Sequence, residues 1–111
     1  MAIINLTPHR INIVDEEGNV IKVFESAGVA RAAQNDVEIG TLEGIQIIET
    51  DFGKPIGLPE FNQGTYYIVS ALTAKAASLS GRNTRDLLLT GKTVRNSDGQ
   101  IIGCQALAKY K

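Results

Sequence analysis

The chain is poor in the residues that most metal proteins and nucleophilic enzymes rely on. Cys104 is its one cysteine, His9 its one histidine, and it has no tryptophan. A lone cysteine cannot close an internal disulfide, which excludes the stapled scaffold of a small secreted domain. One histidine and one cysteine do not make the ligand set of a zinc site, so no metal and no cofactor are expected. No apolar run is long enough to span a bilayer. The start, Met-Ala-Ile-Ile-Asn-Leu-Thr-Pro, lacks the basic and apolar stretches of a secretory signal. No membrane contact and a cytoplasmic location are therefore expected. A basic surplus is missing too: eleven Lys and Arg stand against twelve Asp and Glu, a formal net charge of −1. A protein held by generic attraction to a nucleic-acid polymer shows a clear positive excess. Neither glycine-rich phosphate fingerprint, Gly-x-Gly-x-x-Gly or the Walker loop, is present.

What is there has an ordinary globular balance, 43% hydrophobic and 21% charged over 111 residues. That suits a single domain, residues 1–111, with a thin core. A thin core and eleven glycines make a homo-oligomer the expectation, because assembly buries further surface. The pattern along the chain predicts an α+β fold, with antiparallel β hairpins around a central strand and one main α-helix. Arg10–Asp15 and Val20–Glu25 read as a hairpin about Glu16-Glu17-Gly18-Asn19. Ser26 to Asp36 is ambiguous, and Val29–Ala33 reads either as a short helix or as extended chain. Val37–Ile39 and Ile45–Thr50 read as a second strand pair. Asp51 to Gly64 is dense in glycine and proline and reads as an ordered loop. Thr65–Val69 is the strongest strand, β-branched and aromatic throughout, and is expected to be central and covered on both faces. Ser70 caps a helix over Ala71–Ser80, with Gly81 as its stop. The helix is expected to bury Leu72, Ala76 and Leu79. Asp86–Leu89 is a helical turn or a short strand. Thr93–Arg95 and Gln100–Leu107 form a last hairpin about Ser97-Asp98-Gly99.

Candidate chemistry is sparse, and no catalytic residue is assigned. A triad of His9, Ser70 and Asp86 is permitted by composition alone, and Ser70 lies in no nucleophile elbow. His9 and Thr7 read as capping groups of the turn at Pro8, with ligand contact as the competing role. Asp15-Glu16-Glu17 reads as a solvated turn and Cys104 as a buried, inert thiol. The junction after Val69 is the most suggestive. A helix N-terminus capped by Ser70 favours anions, and Arg82 and Arg85 follow the helix. An ordinary capped helix with surface arginines explains the same residues equally well. Tyr66 and Tyr67 suit base stacking or core packing.

Several blocks resemble those of a group of small tailed-phage and prophage proteins. They are Asn5-Leu6-Thr7-Pro8-His9 with Ile11-Asn12-Ile13, Gly57-Leu58-Pro59, Tyr67-Ile68-Val69-Ser70-Ala71, Arg85-Asp86-Leu87-Leu88 and Gly99-Gln100-Ile101-Ile102-Gly103-Cys104. The resemblance spans nearly the whole chain, and the opening block is its most specific part. The group is in turn similar to viral sponge proteins that trap cyclic nucleotide signals of bacterial anti-phage systems such as CBASS. That resemblance implies a homo-oligomer in the cytoplasm of the infected bacterial host, holding a cyclic nucleotide ligand without acting on it. The ligand-binding residues it suggests are Thr7, His9, Arg31, Tyr67, Ser70, Arg82 and Arg85, with Arg82→Ala and Arg85→Ala expected to weaken binding while leaving the fold intact. The alternatives are a phage structural or assembly protein and, behind it, a small nucleotide-cleaving enzyme.

Overall fold

A computed structural model describes residues 2–110 of the chain. Eight strands and one helix follow in the order β1 (Ala2–Asn5), β2 (Ile11–Val14), β3 (Val20–Phe24), β4 (Arg31–Leu42), β5 (Ile45–Ile56), β6 (Thr65–Ile68), α1 (Ala71–Leu79), β7 (Leu87–Arg95) and β8 (Ile101–Lys109). Six strands form one sheet in the order β1-β6-β7-β8-β2-β3, and β4 pairs with β5 alone. The fold is α+β with antiparallel hairpins, as the pattern predicts.

The hairpins at Gly18 and Gly99 form where their turn residues put them, β2 with β3 and β7 with β8. The sheet is mixed, however, not antiparallel throughout. β6 runs parallel to both β1 and β7, and β8 runs parallel to β2. Parallel neighbours need a crossover, and α1 supplies the one between β6 and β7. β6 is internal, as its composition suggests, but it lies second from an edge instead of at the centre.

Alternation along β6 divides the core. Tyr67 and Val69 join Leu6, Ala30, Leu87, Ala74 and Ala77 beneath the helix. Ile68 packs on the other side with Ile11, Leu88 and Cys104. The helix turns inward a face of small residues, Thr73, Ala74, Ala76 and Ala77. The expected apolar stripe is corrected here: Leu72 is 45% exposed and Leu79 78%. Alanines allow the helix backbone to lie close on the sheet, so small size decides which face is buried.

Val29–Ala33 resolves as the extended one of its two readings and leads into β4. One further expectation is corrected: β5 continues through Asp51–Ile56, where a loop was expected. Pro55 is tolerated within β5 because a two-stranded ribbon has no interior strand, and proline is confined to edges. Leu87–Leu89 resolve as the start of β7, with Asp86 in the turn before it. The ribbon draws the molecule out to 49 × 39 × 23 Å with a radius of gyration of 16.7 Å, where a compact chain of this length has about 13 Å.

Asn5 closes the sheet on itself. β1 and β3 are its two edges, yet Asn5 pairs with Ser26 in a parallel bridge, and the Ala27 N–H donates to the Asn5 carbonyl at 2.9 Å. The Asn5 side chain, 1% exposed, donates to the carbonyls of His9 at 2.7 Å and Phe24 at 3.0 Å. It accepts from the Thr7 N–H at 2.9 Å and the Thr7 hydroxyl at 2.7 Å. That is the full capacity of an amide side chain.

Candidate functional site

The sequence blocks around Asn5, Gly57 and Gly103 have structural roles in the fold. Asn5 and Thr7 hold the turn at Pro8, while His9 contributes its carbonyl and leaves its ring exposed. Gly57 takes φ +81°, and a Cβ there would lie 2.6 Å from the Val29 carbonyl oxygen. Only glycine allows that approach. A Cβ on Gly103 would fall 2.9 Å from both the Asn12 carbonyl oxygen and Val14 Cγ1. Cys104 is buried, and loss of water pushes its thiol pKa up, as an inert core thiol requires. At the first hairpin the Asp15 carboxyl is held below its usual value, chiefly by the Asn19 backbone N–H and also by the Asn19 side chain and the Glu17 N–H. That is the chemistry of a structured turn.

Arg82 is also committed. Its guanidinium clasps Asp86 through Nη1 to Oδ1 at 2.8 Å and Nη2 to Oδ2 at 2.9 Å. Nε and Nη2 also donate to the Pro59 carbonyl at 3.1 and 2.6 Å. Asp86 is 2% exposed, so this bidentate pair is an internal clamp joining the loop before β6 to the entry of β7. The helix N-terminus is similarly occupied. Ser70 Oγ accepts from the Thr73 N–H, and the Thr73 hydroxyl reaches the Ala30 carbonyl at 3.2 Å. Tyr67 is buried under the helix, and Arg31 lies exposed at the root of the ribbon. The seven sequence-derived residues therefore do not converge. Thr7 and His9 line one groove, Arg85 lines another, and Arg31, Tyr67, Ser70 and Arg82 line neither.

The groove at Thr7 and His9 measures about 390 Å³ and is lined mainly by apolar surface, including Ile11, Ile101 and Ile102. The second cleft, about 380 Å³, is polar and bears the charges. Three elements build it. β6 turns Tyr66 to the face opposite Tyr67. The turn before β7, in which the Arg85 N–H donates to Asn83 Oδ1 at 2.9 Å, presents the Arg85 side chain. The end of β8 pairs Lys109 with Leu88 and sets its Nζ 5.7 Å from the Tyr66 ring centre. Asp86 also lines the cleft, its charge already matched by Arg82. Arg85 and Lys109 take part in no ion pair among the described residues. Two cations beside an aromatic ring and the amides of Asn62 and Gln63 make a place for an anion carrying a flat ring.

Sequence reasoning weighed Tyr66 and Tyr67 alike for stacking and took Tyr67 for the site, and it missed Lys109. The signal for Tyr66 was the strand period of two, which forces one of two adjacent tyrosines away from the helix. The signal for Lys109 was the Asp98-Gly99 turn. Counting outward from it along the hairpin brings the end of β8 beside the start of β7.

Among the described residues no three His, Cys, Asp or Glu side chains gather as a metal site requires, and no helix is long and apolar enough to cross a membrane. Comparison with protein-family models, with curated proteins and with solved structures finds no match.

Proposed function

We propose that this chain binds and holds a cyclic nucleotide second messenger of bacterial anti-phage defence, acting in the cytoplasm of the infected host by sequestration. The observation that carries the reading is the polar cleft lined by Arg85, Lys109 and Tyr66, with the Lys109 ammonium over the Tyr66 ring. Arg85 suits a phosphate, through charge-assisted hydrogen bonds. Tyr66 suits a base, since every base has a face to stack. The mechanism is mass action: a tight site present in excess lowers the free messenger below the threshold of its effector. The phage-like sequence blocks supply the biological setting.

The test is calorimetry of the purified chain against cyclic di- and trinucleotides and cyclic ADP-ribose isomers, followed by recovery of the ligand after denaturation. One ligand is expected to bind and to return chemically intact. Arg85→Ala and Lys109→Ala should each weaken it about tenfold or more, the loss of one charge-assisted contact. Binding that both variants leave unchanged would move the site to the groove at Thr7 and His9. Return of a cleaved ligand would make the protein an enzyme, and no binding at all would end the reading.

A phage structural or assembly role is the second reading, and the projecting β4–β5 ribbon favours it. An open or very large assembly in solution supports that role, whereas a small closed oligomer supports the sponge.

A further inference from the structure

The turn into β6 is held by its backbone, and that fixes where the two amides of the polar cleft stand. The Thr65 N–H donates to the Asn62 carbonyl at 3.1 Å, and the Ala2 N–H donates to the Gly64 carbonyl at 2.9 Å. Gly64 takes φ +93°, as the third position of a type II turn requires. Asn62 and Gln63 occupy the first two positions. The bonds that fix the turn are backbone bonds, so both exposed side chains are left for a ligand while their backbone stays in place. Asn62, Gln63, Tyr66, Arg85, Asp86 and Lys109 all line the cleft.

We infer that the cleft selects adenine, so that the nucleotide it takes is an adenine nucleotide read through the amide of Asn62 or Gln63. The inference rests on the nucleotide reading and narrows it to one base. An amide side chain offers a donor and an acceptor side by side. Adenine presents the match: its N6 amine donates to the amide oxygen and its N7 accepts from the amide N–H. Guanine presents two acceptors on the same edge, O6 and N7, and asks for a cation. On its other edge it presents two donors, N1–H and N2–H, and asks for a carboxylate. The cleft withholds both. Its carboxylate, Asp86, is 2% exposed and has each oxygen bonded to Arg82. Its cations are Arg85 and Lys109, and a phosphate, which carries full charge, is their stronger claimant. Lys109 rests on the Tyr66 ring at an exposed position, where such a contact is weak. It yields the ring to the base and follows the phosphate. The neutral amides are then the groups that meet the edge of the base.

The test is calorimetry of the full chain with cyclic di-AMP and cyclic di-GMP, which differ only in their bases. The adenine ligand should bind about tenfold or more tightly, the worth of one bidentate pair. Asn62→Asp with Gln63→Glu keeps the shape of both side chains and exchanges their donors for acceptors. The added charge weakens every nucleotide alike, so the readout is the ratio of the two affinities, which should fall about tenfold. The circular dichroism spectrum should not change, because the turn is bonded through its backbone. Equal affinities, a guanine preference or a ratio that the variant leaves unmoved would overturn the inference while the nucleotide reading stood. Selective binding of a nucleotide without adenine would do the same. Binding of no nucleotide at all would end both together.

Discussion

Asn5 and Asp36 do similar chemistry in different surroundings. In the body, the buried Asn5 side chain makes four hydrogen bonds, three that fix the turn at Pro8 and one that reaches Phe24 at the end of β3. In the ribbon, the Asp36 carboxylate accepts from Gln34 Nε2 at 3.1 Å and the Thr50 hydroxyl at 2.8 Å in open water. A hydrogen bond lost in the interior strands a polar group away from solvent, whereas one lost on the surface is replaced by water. The body is thus held by polar clamps that fail expensively. The ribbon is held by its ladder and by whatever covers it.

The comparison is broken most forcefully at Arg82. Arg82→Ala leaves the Asp86 carboxylate buried without its counter-charge, which costs about 3–5 kcal/mol. Urea unfolding should show this as a large fall in midpoint, in contrast to the intact fold that the sequence suggests for the variant. A loss below about 1 kcal/mol would mean that water reaches Asp86 and that the clamp is not one. Asn5→Ala should cost about 4 kcal/mol, the sum of its four bonds at about 1 kcal/mol each. Hydrogen exchange should then open β1 and β3 first, because the side-chain bond from Asn5 to the Phe24 carbonyl is gone while only the backbone bridge remains. Uniform loosening across all strands would show that the sheet is not closed at Asn5.

The same contrast explains which features were legible in the sequence. Turns were, because Gly18 and Gly99 act through local backbone geometry, and so was the helix start at Ser70. Strand neighbours were not. The partners of β6 depend on β1, about sixty residues earlier, and on a crossover whose direction no local signal gives. The buried helix face was misread because hydrophobicity favours Leu72 and Leu79, whereas close packing on the sheet selects Ala74 and Ala77. The candidate site was the least legible part. Arg82 and Arg85 are the same residue type three positions apart, and only the placement of Asp86 commits the first inward and leaves the second facing the cleft.

Ser70→Ala is a sharper probe than either clamp. It removes the acceptor of the Thr73 N–H and the hydroxyl bonded to Thr73 Oγ1 at 2.8 Å, and should cost about 1 kcal/mol, read as a shift in thermal midpoint. The Thr73 hydroxyl keeps its bond to the Ala30 carbonyl, so the loss should not spread to the loop before β4. If it reached about 3 kcal/mol, Ser70 and Thr73 would form one coupled network and the helix end would belong with the clamps.

The smallest effect is expected in the ribbon. Thr50→Val removes the hydroxyl that donates to Asp36 but keeps the β-branched shape that strands favour. At a concentration low enough for single copies, unfolding should change by less than about 0.5 kcal/mol, because water takes over the exposed carboxylate. A loss above about 1.5 kcal/mol would show Asp36 screened from solvent, with the ribbon folded back on its own body. Its apolar face would then already have a cover, and the difference between the two regions would be one of degree. A near-neutral result leaves the ribbon as an arm whose order depends on what it meets.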